Sequence, residues 1–121
     1  MKHNGFSVIE VLIALIVLSI GLMGTSKVMV STITSNNLNR QHTRATALVQ
    51  DHMERLQRGG YAALVAGTTT EDYGTIAGQP QYKRITTVVD NSPVTHLRTV
   101  TVEMRWGGDK HHLASTTLLA Q

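Results

Sequence analysis

Residues 6–24 read FSVIEVLIALIVLSIGLMG, and this stretch decides the fold. Its only ionisable side chain is Glu10. Coiled as an α-helix at about 1.5 Å per residue, it reaches roughly 28 Å, close to the hydrocarbon thickness of a bilayer. Lys2 stands before it and Lys27 after it. Positive charge ahead of the span argues for a cytoplasmic N-terminus and an exported C-terminal region. Lys27 can reach the far interface by snorkelling. A conventional secretory signal carries its small-residue cleavage site after the apolar run. Here the small residue, Gly5, comes before it.

Glu10 needs a partner or a purpose. An acidic side chain deep in a membrane helix costs on the order of 2.5–3.5 kcal/mol on insertion scales, and less near an end. A cut after Gly5 would give Phe6 a free amine one helical turn from Glu10, on the same face. That ammonium, from the same chain or a neighbour, would offset part of the cost. The plainer alternative is a Glu at the headgroup level of an uncleaved signal anchor.

The run Gly5-Phe6-Ser7-Val8-Ile9-Glu10, followed at once by VLIALIVLSIGLMG, resembles the class III signal of type IV prepilins and pseudopilins. The resemblance implies that prepilin peptidase cuts between Gly5 and Phe6 and N-methylates Phe6. It makes Glu10 the filament-assembly glutamate. The segment looks most like the PilV group of minor pilins, and similar stretches occur in minor pseudopilins of type II secretion. The resemblance also implies the partners: prepilin peptidase, other minor and major pilins, an inner-membrane assembly platform and the lipid bilayer. Many major pilins carry a helix-breaking proline near this point and a cysteine pair; this chain has Lys27 there and no cysteine. Gly21 and Gly24, three apart in the apolar helix, would let neighbouring helices approach closely.

Beyond the apolar run, helical character continues. Residues 27–58 contain neither proline nor glycine, and Ala45, Leu48, Val49, His52, Met53 and Leu56 form an apolar stripe at three- and four-residue spacings. Gly59-Gly60 is a natural stop. Residues 59–81 are rich in Gly and Thr and read as a long connection. Three strand-like runs follow, at residues 82–90, 96–106 and 110–120. In the second, Val100, Val102, Met104 and Trp106 alternate with Thr99, Thr101, Glu103 and Arg105, the pattern of a sheet with one wet face. Turns at 91–93 and 107–109 make the runs an antiparallel meander.

The expected fold is therefore α+β, a long N-terminal helix packed on a small antiparallel sheet, as in pilins. Its divisions are a leader at residues 1–5, a membrane or filament-core helix at 6–30, an amphipathic continuation at 31–58, and a globular part at 59–121.

The remaining composition excludes more than it suggests. With 121 residues and a formal net charge of +3, the chain has room for one small domain. The absence of cysteine removes disulfides, thiolate metal sites and cysteine nucleophiles. No basic run interleaves with aromatic residues, so no direct nucleic-acid site is evident. His111-His112 beside Asp109, with His96 as a third ligand, is the best metal candidate. Adjacent strand residues point to opposite faces, so the pair is expected not to chelate. Glu71-Asp72 reads as a solvated turn, and His52 as a packed, hydrogen-bonded histidine. No cofactor, metal site or enzyme is expected.

The leading expectation is thus a minor type IV pilin, with its N-terminus cytoplasmic and its globular part periplasmic before assembly. A minor pseudopilin of type II secretion, such as the I subunit, is the alternative; an uncleaved, signal-anchored protein with a small exported binding domain is the second.

Overall fold

The computed structural model describes Gly5 and residues 7–121. One helix, α1 (Val8–Ala63), precedes four strands: β1 (Gly67–Glu71), β2 (Tyr82–Asp90), β3 (Leu97–Trp106) and β4 (His111–Ala120). The strands form one antiparallel sheet in the order β1-β2-β3-β4, each hydrogen-bonded to its sequence neighbour. The architecture is α+β and pilin-like. The chain divides into two compact units, the first ending at Asn39 and the second being Arg40–Gln121.

In the first unit Ser7 stands just before the helix, and its carbonyl accepts hydrogen bonds from the backbone N–H groups of Glu10 (3.0 Å) and Val11 (3.2 Å). Hydroxyl side chains along this part turn back onto their own helix. Ser19 donates to the Leu15 carbonyl at 2.7 Å, Ser26 to Leu22 at 2.9 Å and Thr32 to Val28 at 2.9 Å. Such bonds satisfy a polar group without water or a neighbouring chain, which suits an apolar solvent.

In the second unit the helix buries one stripe. Ala45, Val49 and Met53, four residues apart, join Tyr82, Val88, Val100, Val102, Met104 and Trp106 in a single core. The four-residue spacing brings these side chains to one face of the helix, while the two-residue spacing from Val100 to Trp106 brings theirs to one face of β3. At about 25 cal/mol per Å², each fully buried Val or Met contributes about 1.5–3 kcal/mol. Polar ties fix the packing: the Tyr82 hydroxyl donates to the Gln41 carbonyl (3.0 Å), and Gln57 donates to Thr117 Oγ1 (3.2 Å). The Trp106 indole lies edge-on to His42 and stacked with His111, and its buried N–H has no partner among the described residues.

The ends of the elements differ in detail from the sequence expectation. The helix passes the expected stop and reaches Ala63, but Gly60 breaks its geometry with φ 71° and ψ 176°. The left-handed φ there is one glycine adopts at little steric cost. Arg98 then collects the chain end: it donates to the carbonyls of Tyr61 and Leu64 (2.6 Å for the latter), pairs with Asp90 and lies 4.1 Å from the Tyr61 ring centroid. The segment at 59–81 is not one connection, because β1 lies inside it and pairs with β2 from Gly67↔Val88 to Glu71↔Arg84. β2 covers the expected residues, whereas β3 and β4 each start one residue later than expected, at Leu97 and His111. His96 and Asp109 take left-handed φ values of 68° and 64° and so belong to turns.

Candidate functional site

The N-terminal segment is built from three local features. Gly5 is exposed, with open space where a side chain would stand. Phe6, expected as the new terminus, lies outside the described residues, as do Lys2 and His3 of the leader. Glu10 occupies the first helical turn and is exposed. A carboxylate there faces the positive end of the helix dipole, a favourable place for it. From Val8 through Ile33 the large apolar side chains stand open, Val8 being 78% and Met23 71% exposed. The helix is long and apolar enough to cross a membrane, by length and composition. Gly21 and Gly24 sit in this run, and a Cβ on either would meet no atom within 4 Å. They leave notches on a helix whose neighbours' side chains project.

This combination has a counterpart among known proteins. Residues 1–26 match the Prokaryotic N-terminal methylation motif. The motif is typical of type IV pilin-like proteins, structural subunits rather than enzymes, and indicates a pilin-like or pseudopilin-like prepilin-peptidase substrate anchored by its apolar helix. The match ends at residue 26, so the likeness concerns the N-terminal segment and leaves the sheet unit to its own geometry. No curated protein and no solved structure matches the chain.

In the sheet unit a groove of about 410 Å³ lies beside His52, lined among others by Leu48, Arg55, Glu71, Ile76 and Arg84. Its charges are already matched. Arg84 pairs with Glu71, and Arg55 with Asp51 at 2.9 Å. The hydrogen bond from Arg84 holds the Glu71 carboxyl below the usual carboxylate range. Burial, and then the charge of Arg84, push His52 below the ordinary histidine value. His52 Nε2 is 3.2 Å from Thr86 Oγ1, as expected for a packed, hydrogen-bonded histidine. The groove thus offers neutralised pairs and no activated nucleophile.

The other residues singled out in the sequence are dispersed. Glu71 is not part of a solvated turn: it closes β1 and is bound to Arg84. Asp72 does begin a turn, accepting the Tyr73 N–H (2.9 Å) and pairing with Lys83 (3.5 Å). Those partners hold its carboxyl below the usual range. His111 stacks on Trp106, whereas His112 stands opposite Arg105 on the other face of the sheet. His96 lies before β3, at the opposite end from His111's partner Trp106. Among the described residues no cluster of three or more His, Asp or Glu could hold a metal ion.

Sequence reasoning missed two structural ties. Arg98 closes the helix end, and Tyr73 accepts the Asp109 N–H (3.0 Å) while donating to its carboxylate (3.1 Å), linking the 72–81 segment to the β3–β4 turn. Neither has a local signal. For β1 the run Thr68-Thr69-Thr70 is a weak signal, since β-branched residues favour strands but these show no alternation of buried and exposed positions.

Proposed function

We propose that the chain is a minor type IV pilin, a structural subunit that works through assembly and not catalysis. Prepilin peptidase removes residues 1–5, cutting between Gly5 and Phe6 and methylating the Phe6 amine. Residues 6–30 then hold the subunit in the inner membrane, with the N-terminus cytoplasmic. Residues 31–58 continue the helix into the periplasm, and residues 59–121 complete the globular part. The observation that carries this reading is the conjunction of a short basic leader, Gly5-Phe6 with Glu10 four residues on, and an apolar helix with open side chains.

Glu10 has a physical role in that sequence of events. Its carboxylate is costly in lipid, so a subunit gains by bringing it against a Phe6 ammonium in the packed filament. Gly21 and Gly24 let neighbouring helices close on one another. Other pilins and the inner-membrane assembly platform are the partners. The missing proline and cysteine pair favour a minor over a major subunit. A minor pseudopilin of type II secretion would be processed in the same way, and the adjoining genes, for pilus assembly or for secretion, separate the two.

The test is Glu10→Ala in a cell that builds the filament. The altered subunit should be cut normally yet fall at least tenfold in sheared filaments. Incorporation at normal abundance would overturn the assembly role.

A further inference from the structure

The charges of the sheet unit are unevenly matched. Six of its seven carboxylates are paired with an Arg or Lys of the same unit. The seventh, Asp109, accepts the Tyr73 hydroxyl at 3.1 Å. Among the described residues of this unit, three exposed cations are left with no carboxylate partner: Arg40, Arg44 and Lys110. Arg40 and Arg44 lie one helical turn apart where the chain enters the unit, and Lys110 stands in the turn between β3 and β4. The packing brings both places to one end. His42, between the two arginines in sequence, and His111, beside Lys110, flank the Trp106 ring at centroid distances of 6.0 and 5.7 Å. The opposite end, where β2 stops and β3 begins, has no such surplus, because Arg98 there is paired with Asp90. Its open side chains are apolar, Val65 being 82% and Val94 57% exposed.

We infer that this basic end docks on a different chain, a neighbouring subunit that presents free carboxylates to Arg40, Arg44 and Lys110. The inference rests on the proposed filament role, from which the partner is drawn. Charge balance sets the partner's chemistry. A second copy of this chain has no free carboxylate to offer, since Asp109 lies beside Lys110 on the same end and Glu10 lies in the apolar helix. Two copies joined by like ends set cations against cations. A copy joined by its basic end to another's opposite end sets cations against apolar side chains and a pair already closed. Both arrangements leave the charges unmatched, so the complement comes from another chain. Complementary charge supplies specificity and register more than raw affinity. That suits a subunit that takes one place in an assembly instead of repeating along it.

Two other polyanions fit the surface less well. As one helix, the chain from Lys27 to Arg40 runs roughly 20 Å at about 1.5 Å per residue, past the roughly 8 Å over which salt leaves charges unscreened. A headgroup layer at Lys27 is therefore beyond the reach of Arg40. A single-stranded nucleic acid is held by a groove of cations with open aromatic rings for its bases. Here the cations are three separate points, and Trp106 and Tyr82 are buried.

A carbodiimide joins a lysine amine to a carboxylate only where the two touch, so it tests this surface directly. Membranes and sheared filaments from the cell that makes the protein are treated with it, and the peptides holding Lys110 are identified by mass spectrometry. Lys110 should carry an amide to an Asp or Glu of a different chain that itself has an N-terminal methylation motif. The amine introduced by Arg44→Lys should reach the same chain. Arg40→Glu combined with Arg44→Glu should lower the yield at Lys110 at least tenfold. Circular dichroism of that variant should be unchanged, because both positions are exposed. Coupling of Lys110 only to its own chain, to a second copy or to a chain without the motif would overturn the inference. So would no coupling in either preparation, or retention of the detergent-solubilised protein on duplex DNA or phosphatidylglycerol vesicles in its place, which assigns the cations to phosphate. The N-terminal mass in the same samples reports processing separately. An intact Met1 terminus with Lys110 coupled would remove the filament role and leave the acidic partner standing.

Discussion

Residues 8–33 and residues 45–53 of the same helix carry apolar side chains under opposite conditions. In the first stretch they point outward all around, and every large one is exposed. In the second they are confined to a stripe, and Val49 is 1% exposed against the sheet. A stripe is what a helix needs when water is on its other side; apolar residues all round suit a helix surrounded by lipid or by other helices. The difference teaches that one continuous secondary structure can serve two solvents, and that hydrophobic pattern rather than helix propensity marks the change. The first stretch is held by what surrounds it and the second by its own sheet, so substitutions in the two should act on different quantities.

The largest contrast should come from introducing a charge. Val49→Asp leaves an unpaired carboxylate in the core, which costs roughly 4 kcal/mol or more and should unfold the sheet unit. Urea unfolding followed by Trp106 fluorescence checks this, since Trp106 is the chain's lone tryptophan. Leu15→Ala should leave the same transition within about 0.5 kcal/mol. An equal effect of both would erase the division.

Next comes Met104→Ala, which empties a fully buried position on β3. It should cost about 2–5 kcal/mol by the same assay. Arg98→Ala follows, at about 2–3 kcal/mol, because it leaves Asp90 and two carbonyls at the helix end without their donor. Its effect should concentrate at residues 60–64, seen as faster amide exchange there. Uniform acceleration across the sheet would contradict the assignment of Arg98 to the helix end.

The smallest effect is one of pH. His52 has a folded pKa below its unfolded value, so the unfolded chain binds the extra proton first. Stability should therefore fall as pH drops below about 6.5. His52→Gln should flatten that part of the profile. Glu71 and Asp72 are lowered carboxylates, so their contribution is present above about 4.5 and is lost as pH falls further. The two windows are separate, and a profile flat from pH 7 to 5 in the unaltered protein would contradict the burial of His52.

Much of this was legible in the sequence, and the reasons are physical. The apolar run, the Ala45–Val49–Met53 stripe and the alternation from Val100 to Trp106 are repeated patterns imposed by a solvent boundary, so each residue reinforces its neighbours. β1 was hidden because it is short and Thr-rich, lies between glycines, and has four of its five residues exposed, leaving no alternation to read. The Arg98 cluster and the Tyr73–Asp109 link join residues 34–37 and 36 positions apart, beyond any local pattern. The His52 groove likewise joins α1 to β1, the segment after it and β2. Of the N-terminal segment, the residue types and spacing are legible because they lie next to one another along the chain.

Cleavage between Gly5 and Phe6 is tested by the N-terminal mass of the full chain extracted from membranes, with and without prepilin peptidase. Processing as a prepilin gives a terminus at N-methylated Phe6 that appears only when the peptidase is present. An intact Met1 terminus beside a working peptidase would contradict it and leave a signal-anchored protein in its place.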